Sequence, residues 1–146
     1  MMKLLAAVDL SKASGYVIEA VHRVASATDA EVYVLHTIIP LPGIAGPEFN
    51  PVTEYQEMSE RYQDEQDQLN ELVSQLVDVD VNATALMVQG DPVKTILTEA
   101  ERLDAELVVI GSHGHGMMFD ALVGSISAGI LRKSTIPVLV VPVKRL

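Results

Sequence analysis

The run Ala105-Glu106-Leu107-Val108-Val109-Ile110-Gly111-Ser112-His113-Gly114, followed after nine residues by Gly124-Ser125, decides how this chain folds. Its first part is a short apolar stretch with the pattern of a buried strand. Gly124 and Ser125 open the apolar segment 125–133, which has the length and composition of a helix. A helix start presents backbone N–H groups without partners and a partial positive charge. Glycines there let anionic oxygens reach the main chain with no Cβ in the way. The stretch therefore predicts a phosphate cradle at a strand-to-helix junction, and with it a nucleotide site.

Working outward, the 146 residues suit one domain, expected over 1–146, with enough chain to bury a sizeable core. Hydrophobic residues make up 49% of the sequence, yet no run reaches the roughly 18 to 20 apolar residues that span a bilayer. The opening Met1-Met2-Lys3-Leu4-Leu5-Ala6-Ala7-Val8-Asp9 is too short, and too soon charged, for a signal peptide. Ten Lys and Arg against 20 Asp and Glu give a net charge of −10, which opposes nucleic acid and anionic membranes; neither is an expected partner, and no membrane insertion is expected. An acidic surface is also what work in high internal salt favours. The absence of cysteine excludes disulfides, thiolate nucleophiles and cysteine metal sites, and a cytoplasmic protein is expected.

Apolar strands and amphipathic helices alternate along the chain. Strands are expected at 3–8, 32–39, 81–88, 107–110 and 136–143. The first helix is expected from Ser11, with Val17, Ala20, Val21 and Val24 on its apolar face. A second, at 52–76, carries Tyr55, Met58, Tyr62, Leu69, Leu72, Val73 and Leu76 on one side and a solvated Glu- and Gln-rich face on the other. The third has the clearest start, since Asp91 can cap free N–H groups while Pro92 takes the first helical position; it is expected to end near Leu103. Strands separated by helices are parallel with right-handed crossovers, so the expected architecture is a single-domain α/β fold, a doubly wound open parallel sheet of five strands. Its ligand belongs at the carboxyl ends of the strands. The Pro- and Gly-rich segment 40–51 is a long loop at that end, either a plain crossover, a flap over the ligand or a contact for another chain.

The first strand delivers Asp9 to the same edge, where a carboxylate can accept from a ribose or instead cap the first helix. Taken with Gly111-x-x-Gly114, nine residues and Gly124-Ser125, with Leu35-His36-Thr37 closing the second strand, Gly90-Asp91-Pro92 and Ile136-Pro137 before the last strand, the chain resembles the universal stress protein A family in its ATP-binding branch, over essentially its whole length. The resemblance implies a flavodoxin-like, adenine nucleotide alpha hydrolase-like sheet of order 3-2-1-4-5. It implies that Ala7, Val8 and Asp9 line the adenosine end, that Thr37 offers its backbone to the adenine edge, and that Ile110, Gly111, His113 and Gly114 wrap the ribose and phosphates. Gly124, Ser125, Ile126 and Ser127 would then donate to the phosphates. Mg²⁺ is expected to arrive with the ATP.

Other features carry less. His113 and His115 alternate in one loop with no acid until Asp120, so no protein-held metal is expected there; His113 should hydrogen-bond within the loop and His115 sit at its tip. The segment holding Met117, Met118 and Phe119 is expected to pack beside the phosphate loop. Arg132 and Lys133 suit a helix C-terminus. The chain has no P-loop lysine and no residue poised to orient water, so no catalytic residue is assigned and a non-enzymatic nucleotide-dependent regulator is expected. The rivals are a slow ATPase or nucleotidyl-transfer enzyme, a stress dimer that binds no nucleotide, and a flavin electron carrier. Apolar Val138-Leu139-Val140-Val141-Pro142-Val143 at a sheet edge, together with family habit, predicts a homodimer or higher homo-oligomer through that strand. The acidic balance is also similar to TeaD-like regulators of tripartite (TRAP-type) solute transporters, which adds a membrane transporter subunit as an expected partner.

Overall fold

The computed structural model describes residues 1–39, 51–113 and 123–143. In chain order the elements are β1 (Lys3–Ala7), α1 (Ser14–Thr28), β2 (Glu31–Ile38), α2 (Pro51–Val77), β3 (Asn82–Gln89), α3 (Pro92–Arg102), β4 (Leu107–Gly111), α4 (Ser125–Lys133) and β5 (Val138–Val141). The strands pair in parallel in the order β3-β2-β1-β4-β5, as the resemblance implied. After β3 the chain crosses to the far side of β1, so β1 and β4 lie beside each other at the point where the winding reverses. Loops diverge there and leave a crevice at the carboxyl ends of the strands.

Strand alternation sorts the core into two layers. Leu4, Ala6, Val8, Val32 and Val34 face α1 and α2, where Val17, Val21, Leu69, Val73 and Leu76 close over them. Leu5, Leu35, Val108 and Ile110 face the other way, against Ile96 and Ala100 of α3 and Ile130 of α4. The inner strands are buried on both faces, which is why they read as nearly continuous apolar runs.

Several boundaries shift. α1 begins at Ser14, because residues 9–13 form a tight turn, and its fully buried face is Ser14, Val17, Ile18, Val21 and Ala25, with Ala20 and Val24 half-buried. β5 is shorter than expected and holds Val138–Val141; Pro142, which has no N–H to donate, follows it. The apolar side expected for α2 holds only in its second half. At ordinary rises its 27 residues span about 40 Å and the eight of β2 roughly 27 Å, so the helix overshoots the sheet. Leu69, Val73 and Leu76 are buried, whereas Tyr55 and Tyr62, on the overshooting turns, are exposed. Pro51, expected as the end of the preceding loop, is the first residue of that helix. Residues 40–50, with the flap expectation, and 114–122, with Gly114, His115, Met117, Met118, Phe119 and Asp120, lie outside the described residues. No described helix is long and apolar enough to cross a membrane.

The third helix starts as its sequence predicts: Asp91 Oδ2 accepts from the Lys94 N–H at 3.0 Å and Pro92 occupies the first turn. α3 then packs on α4 at Gly129, where a Cβ would lie 2.9 Å from Val93 Cγ2. The Val93 side chain is branched at Cβ and cannot swing away cheaply. Gly129→Ala is therefore expected to destabilise the fold by about 1–3 kcal/mol in urea titration, and Val93→Ala in the same chain to recover part of that loss.

Candidate functional site

The carboxyl ends of β1, β2 and β4 and the first turn of α4 surround a cavity of about 590 Å³. Ala7, Val8, Asp9, Thr37, Ile110, Gly111, His113, Gly124, Ser125, Ile126 and Ser127, all predicted site residues, line it; Gly114 lies outside the described residues. Residues from chain positions more than a hundred apart thus meet at the crevice that the strand order creates.

At the β1 exit, Asp9 Oδ1 accepts from the Ser11 N–H at 3.0 Å and the Ser11 hydroxyl at 2.6 Å, with the Ser14 hydroxyl at 3.5 Å. Asp9 does not cap α1, whose N-cap position is Ala13 with no side-chain cap bond. It closes a turn that holds Leu10 at φ 66°, in the left-handed region that costs a bulky residue about 1–3 kcal/mol. Strain at a cleft margin marks a backbone path set by more than local preference.

The β4 exit is tied down more tightly. Ser112 donates its N–H to the Val141 carbonyl at 2.8 Å, its carbonyl accepts from the Gly124 N–H at 2.7 Å, and its Oγ accepts from the Val143 N–H at 3.0 Å. Ser112 Oγ also lies 3.1 Å from His113 Nδ1, the within-loop hydrogen bond expected of that histidine. Ser127 Oγ donates to the Gly111 carbonyl at 2.6 Å. These bonds narrow the predicted donor set: the Gly124 amide and the Ser127 hydroxyl are committed within the protein. Among the described residues the amides of Ser125, Ile126 and Ser127 remain, since Ala128 is the first to bond back, to the Gly124 carbonyl.

The two glycines differ in their reasons. A Cβ at Gly111 would sit 3.2 Å from the His113 carbonyl oxygen and 3.3 Å from Val143 Cγ2, so packing there is tight and favours glycine. At Gly124 a Cβ would meet only ordinary contacts, the nearest 3.5 Å away, and φ −72°, ψ 171° suits any residue. Among the described residues neither conformation nor packing demands glycine at 124, so a Cβ there would face the cleft without a clash.

Sequence reasoning missed the polar group at the opposite end. His36, 5% exposed, places Nδ1 3.0 Å from the Val8 carbonyl oxygen and Nε2 3.0 Å from Glu65 Oε1. Arg61 Nε lies 3.2 Å from Glu65 Oε2, and Arg61 Nη1 donates to the Ile39 carbonyl at 2.6 Å. Two signals point to it: His36 shares the inward alternation of Val32 and Val34, and Arg61 and Glu65 are four apart on a helix face whose composition reads as solvated.

Comparison with known proteins agrees with this geometry. The family model described as "Universal stress protein family" matches residues 1–142. The chain is 34% identical over 143 residues to Universal stress protein A homolog 1 of Coxiella burnetii, covering 97% of this chain and 96% of that one. Among solved structures it is similar to MJ0577 of Methanocaldococcus jannaschii, at 26% identity and a TM-score of 0.81, covering 99% of this chain and 98% of the other. It shares its fold with a universal stress protein solved in complex with cAMP, at 20% identity and a TM-score of 0.70, covering 98% of each. With its strand order, its cleft and the match over nearly all its length, this chain belongs to the universal stress protein family.

Proposed function

We propose that this chain binds ATP, accompanied by Mg²⁺, and acts as a nucleotide-dependent regulator rather than a catalyst. The carrying observation is the start of α4, where the amides of Ser125, Ile126 and Ser127 have no acceptor within the helix and these residues line the cleft beside a glycine that no contact among the described residues requires. The cAMP complex of a protein with the same fold supports an adenine nucleotide as the ligand class. Asp9 and Thr37 stand at the β1 and β2 ends, where a ribose and a base edge would lie if the phosphates meet α4.

Charge supports the Mg²⁺. Residues 111–127 contain no Lys or Arg, and Arg61, the cation that lines the described part of the cleft, is tied to Glu65 and the Ile39 carbonyl. A divalent ion would supply the neutralisation that side chains at the phosphate end do not.

A ligand regulates only by favouring one of two states, and a partner must read the difference. The nearest reader in this proposal is a second copy joined through β5, an edge strand on which Leu139 is 36% exposed. The wider setting is cytoplasmic, and the resemblance adds a solute transporter subunit as the downstream partner.

Calorimetry tests the reading directly. Wild type is expected to take up ATP with Mg²⁺, and Gly124→Val to lose at least about tenfold in affinity while keeping its fold, because its Cβ has room but its methyls fill the phosphate space. Gly111→Val is the poorer variant, since its side chain collides with Val143. In the same samples nucleotide should stay unhydrolysed over many binding lifetimes; repeated turnover would install the rival reading, a slow ATPase or nucleotidyl-transfer enzyme. Sedimentation at micromolar concentration should give a dimer, and a charged residue at Leu139 should yield monomer. Co-purification of a transporter subunit with wild type and not with Gly124→Val would match nucleotide control of that partner, whereas equal recovery would remove it.

A further inference from the structure

Three ionisable side chains clustered in the cleft, His36, Glu65 and Arg61, have no part in nucleotide binding as described above. Their donors and acceptors can be counted. The Val8 carbonyl oxygen only accepts, so His36 Nδ1 carries a hydrogen. An unprotonated Nε2 has only a lone pair, and an ionised carboxylate only accepts. The 3.0 Å contact between Nε2 and Glu65 Oε1 therefore exists only while one proton lies between them, on the ring or on the carboxyl. Glu65 Oε2 is buried without a hydrogen-bond partner, and the Arg61 guanidinium at 3.2 Å compensates it.

The cluster also joins elements. Val8 follows β1, Ile39 follows β2, and Arg61 and Glu65 sit one turn apart on α2, so one helix grips both strand exits that bound the base end of the cleft. Thr37 lies between the gripped residues His36 and Ile39. Resting on the nucleotide reading, we propose that Glu65 and Arg61 are positioning residues. They form a proton-dependent latch in which Glu65 holds His36 and Arg61 holds the Ile39 carbonyl, fixing the carboxyl end of β2 in the shape the ligand meets.

Among the described residues, the surroundings leave this pair as the sensitive element. From α1 and the Ala13 that precedes it, the cleft-facing residues are the uncharged Ala13, Ser14 and Val17, and from β3 the residue paired with His36 is Met87. From β1 the charged group is Asp9, which is engaged with Ser11 and Ser14; from α2 the charged groups are Glu65 and Arg61 themselves. The direction follows from the proton count. Loss of one proton leaves His36 a single ring hydrogen for two acceptors, the Val8 carbonyl and Glu65 Oε1, so one of the two contacts fails and the latch opens; ATP affinity therefore falls as the pH rises. Glu65→Gln puts an amide N–H where the shared proton was. It can donate to an unprotonated Nε2 at any pH, and its carbonyl oxygen can face Arg61.

The test is calorimetry of ATP with Mg²⁺ on wild type and Glu65→Gln from roughly pH 5 to 9, with the ring nitrogens of His36 followed by NMR in the ligand-free proteins. The ratio of the two affinities cancels the ionisation of the nucleotide itself. That ratio is expected to move about tenfold in favour of Glu65→Gln between the acid and alkaline ends, the size of one charge-assisted hydrogen bond. Binding with parallel pH profiles in the two proteins overturns the latch and leaves the nucleotide reading standing. No ATP uptake by wild type at any pH overturns the nucleotide reading instead. The latch is then decided in the free protein: an Nε2 transition displaced between wild type and Glu65→Gln supports it, and superimposable titrations of the two overturn it.

Discussion

Ser112 is the residue on which this architecture turns. Its N–H and Oγ bind the far end of β5, its carbonyl binds the amide that precedes α4, and one residue earlier the Gly111 carbonyl takes the hydroxyl of Ser127. The end of β4, the exit of β5 and the start of α4 are thus held by neighbouring hydrogen bonds, several of them between buried groups. Breaking one would leave a polar group without a partner at a cost of about 1–3 kcal/mol, so the junction is kept as a unit. The position of the helix start relative to the sheet is consequently fixed before any ligand arrives.

The two ends of the cleft use different physics. At the α4 end there are backbone dipoles and no basic side chain among the described residues; at the β2 end there is a compact set of charged groups paired with one another, with Glu65 Oε2 left without a hydrogen bond. A phosphate tail and an aromatic base ask for this division, since the first needs oriented donors and the second a wall of fixed shape. The overshoot of α2 past the sheet makes the second end possible, because Arg61 and Glu65 sit on the turns that reach the cleft while Leu69 to Leu76 anchor the remainder.

Much of this is legible in the residues. The strand pattern, the Asp91-Pro92 helix start and the opening of α4 at Gly124-Ser125 are local signals, and each appears where the sequence places it apart from the shorter β5. The order of the sheet comes through the family resemblance, since periodicity distinguishes strand from helix but does not say which strands neighbour each other. Misplaced features have a common cause: they depend on how far one element extends past another. Tyr55 and Tyr62 keep a helical apolar spacing yet face solvent, because nothing in a heptad-like pattern states where the sheet beneath it stops. The donors of Gly124 and Ser127 read as ligand-facing in the sequence because the bonds that consume them run to Ser112 and Gly111, across a loop whose closure no local rule supplies. His36 stands out only as part of a motif, because its partners lie 28 and 29 residues away in the chain.

Among the described residues, the want of lysine and arginine around the first turn of α4 has a bearing on ionic strength. Grip by main-chain dipoles at hydrogen-bond distance is short-ranged, and dissolved ions barely attenuate it. The repulsion between a polyanion and a body of net charge −10 acts over many ångströms, and dissolved ions weaken it strongly. Added salt should thus ease the approach of a nucleotide to this chain while sparing the hold upon it, the reverse of what a lysine-lined pocket experiences.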